Sequence, residues 1–152
     1  MTPPELRFAF EIAADVQPPL DLGQTQAGHR RVIPIAGGLV SGPRLQGRIL
    51  PGGADWQILR PDGAADLDAR YTIQTDDGAL ISAVSRGVRH GPPEVLARLN
   101  RGERVDPASY YFRTAGTFET SAPQHMWLTR ALVVGAGERY PDKVVIRFWE
   151  LM

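Results

Sequence analysis

Glycine and proline interrupt this chain so often that little except short strands fits between them. The 152 residues hold 16 glycines and 13 prolines, and the segments left over are of strand length, bounded by turn chemistry. Residues 6–12 alternate, with Leu6, Phe8, Phe10 and Ile12 in one phase. Residues 67–75 alternate most cleanly, with Leu67, Ala69, Tyr71 and Ile73 set against Asp68, Arg70, Thr72 and Gln74. Asp76-Asp77-Gly78 then supplies hairpin residues. Residues 79–85 must return antiparallel, because so short a connection excludes a parallel crossover. Further strands are expected over 30–35, 44–50, 56–60, 110–114, 127–134 and 144–151. Residues 17–28, rich in Gln, Pro and Gly, read as a long loop. Pro34 removes a ladder donor, which puts its strand at an edge or at a bulge.

One stretch has helical character. Over 92–101, prolines open the segment where their missing donors cost nothing, and Val95, Leu96 and Leu99 form an apolar stripe. Arg98 and Arg101 suit the C-terminal end of the dipole, and Gly102 can cap it. The pattern as a whole predicts an all-β fold: a single domain over 1–152, built as one antiparallel β-barrel of about eight to ten strands with one short helix. A barrel is preferred to a sandwich because closure removes exposed edges. The last two strands are apolar in both phases. They are therefore expected to pack against the helix or against a second subunit, making a homo-oligomer.

Composition removes several function classes. Lys plus Arg and Asp plus Glu both number 17, so no bulk field attracts nucleic acid or an anionic membrane. Cysteine is absent, which excludes disulfides and thiol chemistry. No secretory leader or membrane-length apolar run is seen, and a cytoplasmic protein is expected. His29, His90 and His125 form no close pair, so neither a metal nor another cofactor is expected. No Gly-x-Ser-x-Gly elbow is present.

What remains is a set of acids, bases and aromatics. Gly52-Gly53 ends one strand and frees the backbone for a bend, and Asp55 and Trp56 follow at once on opposite faces. Asp55 and Gln57 share a face, as do Asp68, Arg70 and Thr72; Tyr111 and Arg113; and Trp127 and Thr129. Turned inward, these faces would enclose a pocket. Asp55 would be its acid or base, with Arg70 and Tyr111 stabilising an oxyanion. Arg31, Trp56, Gln57, Asp68, Thr72, Arg113, Trp127 and Thr129 would bind the ligand. Turned outward, the same residues are the ordinary wet face of antiparallel strands, with Tyr71 and Ile73 in the core. Asp55 has its own structural reading, as a short acid capping a turn. Arginines in the position of Arg30 and Arg31 are most often surface charges.

The motifs Gly28-His29-Arg30-Arg31-Val32-Ile33-Pro34-Ile35, Gly42-Pro43-Arg44-Leu45-Gln46-Gly47, Leu67-Asp68-Ala69-Arg70-Tyr71, Tyr110-Tyr111-Phe112-Arg113-Thr114 and Trp127-Leu128 are similar in combination to the DUF3237 family, also called UPF0311. The resemblance spans nearly the whole chain. It implies a small calycin-like barrel with a central cavity, and it favours the inward reading of Asp55, Arg70 and Tyr111. Family members are similar to proteins found near aromatic and polyketide metabolism. The family usually has Asn after Trp-Leu, where this chain has Thr129.

The expectation is a barrel that binds a small hydrophobic or aromatic metabolite. It would act either as a cofactor-free lyase, isomerase or cyclase working by acid–base chemistry, or as a non-catalytic carrier. A filled barrel serving as an interaction module is the third reading.

Overall fold

The computed structural model describes residues 1–152. Its strands are β1 (Leu6–Val16), β2 (Leu20–Thr25), β3 (Gly28–Ser41), β4 (Gly47–Ile49), β5 (Gly53–Leu59), β6 (Ala65–Thr75), β7 (Leu80–His90), β8 (Tyr111–Thr120), β9 (Leu132–Arg139) and β10 (Lys143–Leu151). One α-helix, α1 (Pro93–Asn100), and two 3₁₀ helices, Pro107–Ser109 and Pro123–Thr129, complete the chain. β1, β3, β5, β6, β7, β8, β9 and β10 close a ring in which every neighbouring pair is antiparallel, and β10 returns to β1. β4 and β5 share the slot between β3 and β6, one after the other, and β2 adds to β3 outside the ring. A ring of this size is just wide enough for side chains to fill or for one small ligand.

The bend at Gly52-Gly53 makes the sharing of that slot possible. Gly52 holds φ +108°, a region that favours glycine, and a Cβ on Gly53 would lie 2.9 Å from the Cβ of Tyr71. The hairpin at Asp76-Asp77-Gly78 forms as expected, with Gly78 at φ +86°. The helix also stands where the apolar stripe put it, followed by Gly102 at φ +76°.

Several elements depart from the sequence reading. Residues 17–28 contain β2, which pairs with β3. β3 is paired on both sides and is no edge strand, but its ladder is irregular beside Pro34. The β1 pairing slips in register and ends at Ile35, the β2 pairing starts at Val32, and Pro34 falls between them. The missing N–H of Pro34 therefore costs no ladder bond there. In β1 a bulge at Ala9 breaks the alternation between Phe8 and Phe10. Phe10 and Ile12 go to the core, whereas Leu6 and Phe8 turn out. Residues 127–131 are not strand: Pro123 opens a 3₁₀ helix that carries Trp127 and Thr129, and β9 begins only at Leu132.

The two barrel ends differ. Phe10, Phe118 and Phe148 pack edge-on and tilted against one another in the core that Leu128 of the Pro123–Thr129 helix also joins. Asp77 ties that helix to the hairpin, accepting from Gln124 Nε2 at 3.1 Å and lying 3.2 Å from His125 Nε2. At the opposite end α1 brings Leu96 and Leu99 into the core with Val105 and Tyr110. α1 thus leaves the outer face of the β9–β10 hairpin uncovered, and Leu132 there is 70% exposed.

Candidate functional site

The strand pleat decides what the barrel interior contains. β6 turns Leu67, Ala69 and Tyr71 inward, and β5 does the same with Asp55 and Gln57. In register, Ile33 lies opposite Asp55, Asp55 opposite Ala69, and Ala69 opposite Ser85, which makes one row across four strands. Arg89 follows Ser85 in phase on β7, Phe112 and Thr114 come from β8, and Arg139 comes from β9. Ile12, Ile35 and Ile146 supply much of the rest of the wall. Gly137 makes room for the Phe112 ring, whose atoms would stand 2.6 Å from any Cβ at that position. The lumen leaves about 40 Å³ of water-accessible space, room for about two or three waters. Anything larger must displace lining side chains, of which Arg89 and Arg139 are the longest.

Asp55 is held from two sides. Its Oδ2 accepts from Gln57 Nε2 at 2.9 Å, and its Oδ1 accepts from the Asp68 backbone N–H at 2.9 Å. The β5–β6 ladder is open at this point, between the Asp55–Ala69 and Ile58–Asp66 pairs. Burial pushes the Asp55 carboxyl above its ordinary value, against those two hydrogen bonds and the attraction of Arg89. Burial likewise raises the Tyr71 phenol, which stays a donor at neutral pH. Four buried polar atoms of the wall have no hydrogen-bond partner within the protein: Gln57 Oε1, Tyr71 OH, Ser85 Oγ and Thr114 Oγ1. Native interiors rarely leave such groups unpaired, because each costs about 1–3 kcal/mol.

Of the residues expected from sequence, Asp55 and Gln57 meet in the lumen, and Arg31 is buried opposite Gln57, donating to Asn100 Oδ1 at 3.1 Å. The others do not join them. Asp68 and Arg70 lie on the outer wall, where Asp68 pairs with Arg70 Nε at 3.4 Å and Arg86 Nε at 3.5 Å. Thr72 is exposed in a shallow groove with Leu80 and Ser82. Tyr111 stacks on His90 with ring centroids 4.8 Å apart, and Arg113 sits over the same ring at 5.2 Å. Trp56 is on the outside, its carbonyl accepting from Arg30 at 3.3 Å. Trp127 lies beneath the Arg44 guanidinium at 3.8 Å, and the Thr129 hydroxyl donates to the Met126 carbonyl. For Asp68, Arg70 and Thr72 the cause is one phase choice. Leu67, Ala69 and Tyr71 occupy the inner face of β6, so Asp68, Arg70 and Thr72 take the wet one. Tyr71, Ser85, Arg89, Thr114 and Arg139 are lumen residues that the sequence reading did not single out. Arg89 had a signal, since it continues the inward phase of Ile81, Ala83 and Ser85 beyond the expected end of that strand.

A family model described as "Protein of unknown function (DUF3237)" matches residues 4–151. The chain belongs to the DUF3237 family. A UPF0311 protein of Rhodopseudomonas palustris is 46% identical over 147 residues, with 96% of each chain covered. The crystal structure of a conserved R. palustris protein of unknown function superposes with a TM-score of 0.94 at 44% identity, covering 100% of both chains. A β-barrel-like protein from Acinetobacter baumannii gives a TM-score of 0.87 at 42% identity, covering 100% of this chain and 98% of its own. A more distant relative, from Penicillium herquei, is named as a hydroalkoxylation enzyme. It is 25% identical over 150 residues, which cover 99% of this chain and 85% of that protein.

Proposed function

We propose that the lumen binds a small, mostly apolar, unsaturated molecule, and that Asp55 moves a proton on it without a cofactor. The observation that carries this reading is the set of four unpartnered polar atoms around a buried carboxyl, inside a wall that is otherwise apolar. Such a lining suits a ligand with a flat apolar body and a few oxygens. Hydroalkoxylation, the activity named for the P. herquei relative, adds an O–H across a carbon–carbon double bond, and within one molecule it is a cyclising isomerisation. The elements needed are an acid, a base and donors to the reacting oxygen. Protonated Asp55 gives its proton to one alkene carbon while the substrate hydroxyl oxygen bonds to the other. The π bond breaks, the C–O bond forms, and the hydroxyl proton returns to Asp55. Tyr71 and Ser85 hold oxygens of the substrate. The raised carboxyl of Asp55 suits the acid role.

Incubating the purified protein with a panel of alkenyl phenols, no cofactor added, and following cyclic ether formation by NMR tests this directly. Product in the absence of any added metal or nucleotide is expected. If the panel yields no ether and no member shifts the melting temperature, the reading fails. A carrier would use the same apolar wall but would bind members of the panel without converting them.

The unpartnered hydroxyls give a second measurement. Tyr71→Phe, Ser85→Ala and Thr114→Val each remove a buried polar atom that lacks a partner, so each is expected to raise unfolding stability by about 1 kcal/mol. Each is expected at the same time to weaken ligand binding, the usual exchange at a functional site. Variants that lose stability by a similar amount would point to hydroxyls serving the fold alone.

The uncovered outer face supports a homo-oligomer. Leu6, Leu151 and Leu132 lie side by side across β1, β10 and β9, and Phe8, Trp149 and Val134 form the next row. Phe8 and Trp149 meet edge to face with centroids 6.0 Å apart. A contiguous apolar face of this kind suits self-association. Light scattering at micromolar concentration is expected to report a dimer or larger species, with Leu132→Glu reduced to monomer. A wild-type monomer would count against it.

A further inference from the structure

The lumen wall carries a charge imbalance that the acid–base reading does not use. Arg31, Arg89 and Arg139 are 8%, 4% and 7% exposed. They come from β3, β7 and β9, in the half of the barrel nearest α1, to which Arg31 is tied through Asn100. None of the three forms an ion pair within 4.0 Å, although eight other arginines of the chain do. Arg139 donates to the backbone carbonyls of Tyr140 and Lys143. Arg89 lies over the Phe112 ring at 5.8 Å. Asp55 is the sole carboxylate on the lumen wall, set against the two guanidiniums that line it, Arg89 and Arg139, with Arg31 buried beside them. When Asp55 is protonated, as the proposed acid role requires, no ionised carboxylate lines the lumen, and Asp21 and Asp142 act on Arg31 and Arg139 only from beyond ion-pair distance.

Burial is the main force pushing the Arg89 guanidinium down, to about 10, with Arg139 and Arg31 adding to it and Asp55 opposing it. At that value the group is still a cation at neutral pH. Buried like charges without a counter-charge are costly, and removal of one is tolerated or favourable. A fold that gathers three of them around an apolar lumen has a use for a negative partner. Guanidinium groups match a carboxylate in both charge and planar geometry.

We infer that the ligand of the lumen carries a carboxylate, which docks against Arg89 and Arg139 with Arg31 beside them, while its apolar body lies along Phe112 and the isoleucines toward Asp55. This rests on the lumen being the ligand site and names the class of molecule that fits it: a small aromatic or unsaturated carboxylic acid. The two long arginine side chains are also the groups that must move to admit it, so entry of the anion and opening of the space are one event.

Benzoate and its neutral isostere benzamide test the inference on the wild-type protein. Benzoate is expected to raise the melting temperature in a concentration-dependent way and to bind at least tenfold more tightly than benzamide by calorimetry. Arg89→Met is expected to raise the melting temperature without ligand and to weaken benzoate at least tenfold, leaving benzamide unchanged. Benzamide binding as tightly as benzoate, with both displaced by Ser85→Leu, overturns the carboxylate site and leaves the lumen reading standing. Sodium chloride at equal ionic strength reproducing the benzoate shift overturns the inference by reducing it to general screening. No benzoate effect at millimolar concentration overturns it as well. The comparison of the two probes on wild-type protein decides the matter even if Arg89→Met does not fold.

Discussion

Asp55→Asn is expected to lower turnover of a converted alkenyl phenol by about 10²–10⁴-fold while leaving the barrel more stable at neutral pH. The rate loss follows from removing the only carboxyl on the lumen wall, and its size is that of a general acid–base group. The amide keeps the shape. Its oxygen can still accept from the Asp68 N–H, so binding should change far less than rate. The stability gain follows from the sign of the shift. Burial raises the folded-state carboxyl above its unfolded value, so ionising it opposes folding. That cost is absent below the ordinary carboxylate range, grows as pH rises toward the folded-state value, and is complete above it. The melting temperature of the variant should therefore exceed that of the wild type at pH 7, and the two should converge in acid. The wild-type rate should fall as pH rises through the same interval, because the proton donor is lost. A variant that is slower and also less stable at pH 7 would mean that Asp55 serves as an ionised cap for the Asp68 N–H, a structural role.

The secondary structure was largely legible, and the interior was not. Alternation in β6, the Asp76-Asp77-Gly78 hairpin and the apolar stripe of α1 are local patterns, and local patterns survive folding when the tertiary structure agrees with them. Which phase faces the lumen is not local. Residues 67–75 read equally well with Asp68 and Arg70 inward or outward, and only ring closure settles that Ala69 and Tyr71 go in. The bulge at Ala9 is invisible in Leu6-Arg7-Phe8-Ala9-Phe10, where the alternation looks unbroken, yet it sends Leu6 and Phe8 to the outside. Of the three buried arginines only Arg31 stood among the expected binding residues; Arg89 and Arg139 were missed for a different reason. A lone Arg at a strand end is usually a solvated charge, and Arg89 and Arg139 declare themselves only when strands far apart in sequence bring them together. The small residues in phase with them, Ser85 and Gly87 on one strand and Gly135 and Gly137 on another, were the available hint. Small inward side chains leave room for long ones.

Phe148→Ala is expected to cost about 3–5 kcal/mol of unfolding stability, the range for deleting a fully buried aromatic. Phe148 is 0% exposed and belongs to the aromatic cluster with Phe10 and Phe118. Its ring lies 5.0 Å from Phe10 and 6.2 Å from Phe118, and its Cε1 would be 3.0 Å from a Cβ at Gly135. Those neighbours are themselves buried on three strands and on a glycine that cannot extend, so the gap has no side chain to close it. The loss is a large share of the total for a domain of this size, about 5–15 kcal/mol. In urea the midpoint should fall with the slope unchanged. Trp149→Ala, one residue along and on the outer face, should cost far less at concentrations where the chain is monomeric. The contrast between adjacent positions tests the pleat phase of β10, and with it the placement of every residue assigned to the lumen. Equal losses at the two positions would mean that the strand does not divide inside from outside as described, and the positions of Asp55 and the three buried arginines would fall with it.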